Sequence, residues 1–160
     1  MIDGPAVVAA LEAAGFTHLV WLPDSHLGTW DAALSGSRLG PVRACREGEA
    51  VAIAAGLMLG GAKPLVAIQC TGFFEAGDAV RNVVHDLKLP LKMIVGVRSY
   101  RAFREGKSKD NCAHFAEKLV AAWELPFEWV APDVDGPNRF AAVLRTTVDR
   151  PGAGVILWSE

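Results

Sequence analysis

Short apolar segments alternate with stretches of helical spacing along the whole chain, and this alternation limits the folds open to it more than any other feature. Pro64–Gln69 is the sharpest case, apolar until its last residue. A strand of that kind has no solvent face and belongs in a parallel sheet covered on both sides. The other extended segments are His18–Leu22, Val42–Cys45, Leu91–Val97, Phe127–Val130 and Gly154–Trp158. Between them, helices are expected at Trp30–Leu34, Glu47–Leu59, Ala76–Leu87, Ala113–Trp123 and Pro137–Val148. A further helix opens the chain. Asp3 caps it, Pro5 stands in its first turn, Val7, Val8, Leu11 and Ala14 follow at helical spacing, and Gly15 ends it. Arg98–Asn111 reads as polar, basic and irregular. Strands separated by helices imply right-handed crossovers. The expectation is an α/β domain of three layers, with a mainly parallel sheet of about six strands between helices. No internal repeat or long linker divides residues 1–160, which read as one domain.

Composition removes several function classes. A formal net charge of -2 gives no electrostatic case for nucleic acid or an acidic membrane surface. No apolar run approaches the ~20 residues needed to span a bilayer. The N-terminal Ala/Val/Leu run lacks a basic start and is broken by Gly4-Pro5 and Glu12, which argues against a signal peptide. Cys45, Cys70 and Cys112 are widely spaced and read as buried or incidental thiols of a reducing compartment, so a cytoplasmic location is expected. Half the residues are hydrophobic, which is rich for a domain of 160 residues and suggests a buried partner surface.

In a sheet of this kind, ligands sit outside the carboxyl ends of the strands. That rule selects the segments Pro23–His26, Arg46-Glu47, Gln69–Gly72 and Arg98 onward, all of them polar. They contain no Gly-x-Gly-x-x-Gly after the first strand, no Walker-type lysine loop and no Gly-x-Ser-x-Gly elbow. The four histidines, His18, His26, His85 and His114, have no metal-ligand spacing. Arg46–Gly56 is unusual in another way: it places Glu47 and Glu49 at the entrance of a helix made largely of Ala and Gly. Acidic residues favour a helix start by charge–dipole attraction. Small side chains also let another backbone or a ligand approach closely.

Taken in order, these segments resemble the pyrimidine-binding (Pyr) domain of thiamine diphosphate enzymes. The likeness is strongest to the alpha subunit of sulfopyruvate decarboxylase and the matching half of phosphonopyruvate decarboxylase. Leu22-Pro23-Asp24-Ser25 matches that family's Val-Pro-Asp-Ser turn, and Glu47–Gly56 matches the segment carrying its cofactor-activating glutamate. Gln69-Cys70-Thr71-Gly72 stands where the family has Gln-Asn-Ser-Gly, and Ala116–Phe127 follows its last third. The resemblance implies that Glu47 hydrogen-bonds the aminopyrimidine ring nitrogen and favours the tautomer that acts as base. Glu49, about 200° further around the helix, is the rival. Gln69, Thr71 and Gly72 are then cofactor-binding, and Ser25 and His26 face substrate. Arg98 is the candidate for a sulfonate or phosphonate group of an anionic 2-oxoacid.

Two departures from the family pattern stand out. Thr71-Gly72-Phe73-Phe74-Glu75 replaces Ser-Gly-Leu-Gly-Asn, so Phe73 and Phe74 offer aromatic surface for a partner, a substrate or core packing. The Gly-Asp-Gly signature of the diphosphate half is missing; Asp135–Asn138 is only a turn. The resemblance therefore implies that a diphosphate-binding beta subunit holds Mg²⁺, shares the thiamine diphosphate and forms a hetero-oligomer with this chain. No metal ligands are expected here. The alternatives are a non-catalytic interaction module that kept the fold, and a flavodoxin-like nucleotide domain, which the absence of a phosphate loop disfavours.

Overall fold

The computed structural model describes residues 2–160. Six strands, all parallel, form one sheet in the order β2-β1-β3-β4-β6-β5. They are β1 (His18–Trp21), β2 (Gly40–Arg43), β3 (Pro64–Gln69), β4 (Lys92–Val97), β5 (Phe127–Val130) and β6 (Gly154–Ser159). The interior strands β4 and β6 are buried at every position, whereas the edge strand β2 is nowhere buried. The helices are α1 (Gly4–Ala13), α2 (Asp31–Leu34), α3 (Glu47–Leu59), α4 (Cys70–Glu75), α5 (Gly77–Arg81), α6 (Tyr100–Arg104), α7 (Cys112–Ala122) and α8 (Pro137–Asp149).

Handedness assigns the helices to faces. From β2 to β3, β3 to β4 and β4 to β5 the chain steps one way along the sheet; from β1 to β2 and β5 to β6 it steps the other way. Right-handed crossovers then put the two sets of connections on opposite faces. The buried clusters follow this division. One joins Val51 and Ala54 of α3, Phe73 of α4, Val80 of α5 and Val120 of α7 to Val66, Val95 and Leu157. The other joins Leu11 of α1, Leu34 of α2 and Phe140 of α8 to Leu19, Ala67, Ile94 and Ile156. The three-layer expectation is met.

Local departures have local causes. The second strand lies at Gly40–Arg43 rather than Val42–Cys45, because parallel pairing sets Gly40 beside His18 and Arg43 beside Trp21. The Cys45 N–H, which would extend it, donates instead to the Glu49 carboxylate at 2.8 Å. Residues 70–75, expected as loop, are helical, and so are residues 100–104 within the segment expected to be irregular. The expected Ala76–Leu87 helix divides into α5 and a π-helical turn at Asn82–Asp86.

The cysteine reading is corrected in part. Cys70 and Cys112 are joined as a disulfide across 42 residues, with Cα atoms 6.5 Å apart, and only Cys45 is free and exposed. Folding brings the N-terminus of α7 against the N-terminus of α4, which spacing along the chain cannot reveal. Buried Lys92, at the start of β4, donates to the carbonyls of Thr147 (2.6 Å) and Arg150 (2.8 Å), satisfying the end of α8. Burial, and secondarily the Arg150 charge, lower its pKa. Among the described residues, no helix is long and apolar enough to cross a membrane.

Candidate functional site

β1 and β3 are neighbours, yet the chain leaves β1 toward one face and β3 toward the other. A crevice opens where adjacent strands part in this way, and ligands bind there in open α/β sheets. The carboxyl ends of β1 and β3 carry Pro23–His26 and Gln69–Gly72, two of the segments singled out in the sequence. They are tied together directly. Asp24 Oδ1 accepts the backbone N–H groups of His26 (2.8 Å) and Leu27 (2.7 Å), closing a tight turn. Its Oδ2 accepts from Gln69 Nε2 at 3.1 Å, and Gln69 Oε1 accepts from the Thr71 hydroxyl at 2.9 Å. Ser25 and His26 project from this braced turn and are exposed.

Glu47 begins α3 and is half-buried. Its side chain lies across Gly72: a Cβ there would overlap Glu47 Cγ, Cδ and Oε1. Glycine at 72 is therefore a steric requirement of where Glu47 lies. The other acids nearby are already engaged. Glu49 is exposed and spent on the Cys45 N–H. Glu75 accepts from Gly48 N–H at 3.0 Å and Arg46 Nη2 at 2.5 Å, tethering the end of α4 to the start of α3. Those two bonds, the backbone one first, hold the Glu75 carboxyl below its usual range. The Glu47 carboxylate forms no hydrogen bond or ion pair with any described residue. Of the two glutamates weighed from the sequence, Glu49 accepts from the Cys45 N–H, whereas Glu47 accepts from no described residue.

The structure thus brings Glu47, Gly72, Thr71, Gln69 and the Asp24–His26 turn to one end of the sheet. Arg98, exposed just beyond β4, lies at the same end. The aromatic pair resolves into packing: Phe73 is fully buried and Phe74 packs half-buried against the same core. The rest of the cationic segment divides, with Arg101 paired to Asp133 and Lys107 to Glu105 at 2.8 Å. His85 Nε2–H donates to the Trp123 carbonyl (2.9 Å), and His114 stacks edge-on to Phe103 and Phe115, as structural residues do. No cluster of three potential metal ligands occurs among the described residues.

Sequence reasoning missed Glu160. It follows β6, and both carboxyl oxygens are buried with no hydrogen-bond partner. Burial and then the Asp24 charge push its pKa up to about 7, with Arg98 pulling the other way. The one signal for it was Gly96, an isolated glycine in a strand that is apolar after Lys92, which marks close approach of another group.

No family model and no curated protein sequence matches the chain. Solved structures do. A thiamine diphosphate-dependent 4-hydroxybenzoylformate decarboxylase from Rhodococcus jostii RHA1 superposes with a TM-score of 0.68 at 20% identity, over 98% of this chain and 29% of that one. Benzoylformate decarboxylase from Polynucleobacter necessarius gives a TM-score of 0.73 at 21% identity, over 99% of this chain and 30% of that one. A split-gene transketolase, described as an inactive beta4 tetramer, gives 0.66 at 18% identity, over 98% and 49%. The chain spans less than half the length of each. At these identities the likeness establishes the fold, which is the fold of the part of those enzymes that it covers.

Proposed function

We propose that this chain is the Pyr component of a thiamine diphosphate-dependent 2-oxoacid decarboxylase and works with a separate diphosphate-binding beta subunit. One observation carries the reading. At the entrance of α3, Glu47 is held over Gly72 with no partner of its own, while Glu49 and Glu75 are consumed by the helix start. A free carboxyl against a glycine surface is the donor set that an aminopyrimidine ring needs, and the similar structures include enzymes of that chemistry. When bound, thiamine diphosphate supplies a carbanion and the electron sink for decarboxylation.

The chain's own residues do the rest. Glu47 would hydrogen-bond the pyrimidine ring nitrogen and could supply or accept its proton there. Gly72 keeps the Glu47 side chain in place, and Glu75 and Arg46 fix the helix that carries it. Gln69 and Thr71 lie beside the ring site, and the Asp24 turn directs Ser25 and His26 toward substrate. Arg98 is the group for a second anion on the substrate, which favours 3-sulfopyruvate or a phosphonopyruvate-like oxoacid. Mg²⁺ and the diphosphate belong to the beta subunit, so activity requires the hetero-oligomer.

The test is calorimetry and CO₂ release with the reconstituted pair, thiamine diphosphate and Mg²⁺. Glu47→Gln is expected to lower turnover by about 10²-fold or more, in the range assigned to positioned acid–base groups. Unchanged turnover refutes the mechanism. Failure of the intact complex to take up thiamine diphosphate favours a non-catalytic interaction module instead.

A further inference from the structure

Glu160 follows β6 at the same carboxyl end of the sheet. Its backbone N–H donates to the Val97 carbonyl at 3.0 Å, and its own carbonyl accepts from Tyr100 N–H at 3.1 Å. Side chains alternate along a strand, so Glu160 emerges on the face shared by Ile156 and Trp158. There it crosses Gly96, where an added Cβ would lie 2.5 Å from Oε1. Gly96 pairs with Gln69 on one side and Trp158 on the other. The buried carboxyl therefore sits in the sheet layer that carries Gln69, whose amide holds Asp24. The charges facing it are Asp24, from the loop after β1, and Arg98, from the end of β4. His26 and Asp133 line the same cavity, which has a volume of about 180 Å³, and Asp133 is already paired with Arg101.

Two carboxylates close together in a low dielectric cannot both ionise without cost. Asp24 accepts three hydrogen bonds and holds the turn. Glu160 has no hydrogen bond that would stabilise an anion. Glu160 is therefore the carboxyl that keeps its proton to higher pH than an ordinary glutamate. We propose that Glu160 is a positioning residue for the Asp24–Gly28 turn: protonated, it leaves the turn closed, and on ionising it repels Asp24 and loosens the presentation of Ser25 and His26. Residues on a turn held by a charged acceptor feel that repulsion first at the donor N–H groups, those of His26 and Leu27.

The experiment is an amide NMR titration of the ¹⁵N-labelled chain between about pH 5.5 and about pH 8.5, spanning the ordinary histidine range. The His26 and Leu27 amides are expected to shift with one midpoint near neutrality, to keep that midpoint in His26→Asn, and to stay flat in Glu160→Gln. Flat amides in the parent chain overturn the proposal. So does a titration that survives in Glu160→Gln, or one that disappears in His26→Asn. Should Glu160→Gln fail to fold, the ¹³C carboxyl signal of Glu160 decides, and a midpoint in the ordinary carboxylate range, below about 5, refutes it. Only the link to substrate rests on the proposed function. A turn that titrates through Glu160 in a complex that ignores thiamine diphosphate would keep this inference and remove that reading.

Discussion

Gly72→Ala separates the position of Glu47 from its chemistry. The added methyl would occupy the space of Glu47 Cγ, Cδ and Oε1, so the whole side chain must turn away. Gly72 lies within α4 and has no left-handed backbone, so alanine is not strained there. In a helix, Ala is favoured over Gly by about 0.8–1 kcal/mol. Against that stands a displaced glutamate rotamer, worth about 0.5–1.5 kcal/mol. The terms nearly cancel because Glu47 is half-buried and has no bond to lose, so stability should stay within about 1 kcal/mol of the parent. Function should not. A displacement of about 1 Å at a reacting group can cost about 10²-fold, and here the carboxyl moves by more than that. The assay is thermal melting of the chain, with calorimetry and CO₂ release in the reconstituted complex. Cofactor affinity and turnover both within about threefold of the parent would refute the steric argument. A loss above about 3 kcal/mol, the upper range for overpacking, would show that Glu47 cannot move and would refute the accounting.

Three further perturbations test the scaffold. The raised pKa of Glu160 means that the unfolded chain loses that proton first; stability is full below the ordinary carboxylate range and falls as pH rises to about 7. The residue as a whole is only part-buried although its carboxyl oxygens are covered, which reduces the fall to about 1–2 kcal/mol, and denaturant melts of Glu160→Gln should lose that slope. Lys92→Met strips a donor from the Thr147 and Arg150 carbonyls and should cost about 1–3 kcal/mol by urea unfolding, with a near-neutral result arguing that water replaces it. Cys112→Ser opens a 42-residue loop, worth up to about 4 kcal/mol of chain entropy. Its melting temperature should equal that of the reduced parent, and a further drop would point to packing rather than the crosslink.

The strands β3, β4 and β6 and the helix α3 were legible because each declares itself within its own residues, by a largely apolar run or by a helical start and a glycine stop. The ordered polar segments at the strand ends also marked Glu47, Gln69, Thr71 and Ser25 before any coordinates. Helix α4 was hidden. Cys-Thr-Gly-Phe-Phe-Glu shows no helical period, and its fold comes from Phe73 entering the core and Glu75 tying back to Gly48. The shift of β2 reflects pairing with β1, a relation between distant segments that no window of sequence contains. The same holds for the joining of Cys70 to Cys112, the hydrogen bonding of Glu49 but not Glu47, and the unpaired carboxyl of Glu160 against Gly96. Local pattern determined which elements form and which residues reach the carboxyl ends of the sheet. Which acid is spent on structure and which stays free was decided by three-dimensional contacts, because a carboxylate's role depends on the donors that fold around it.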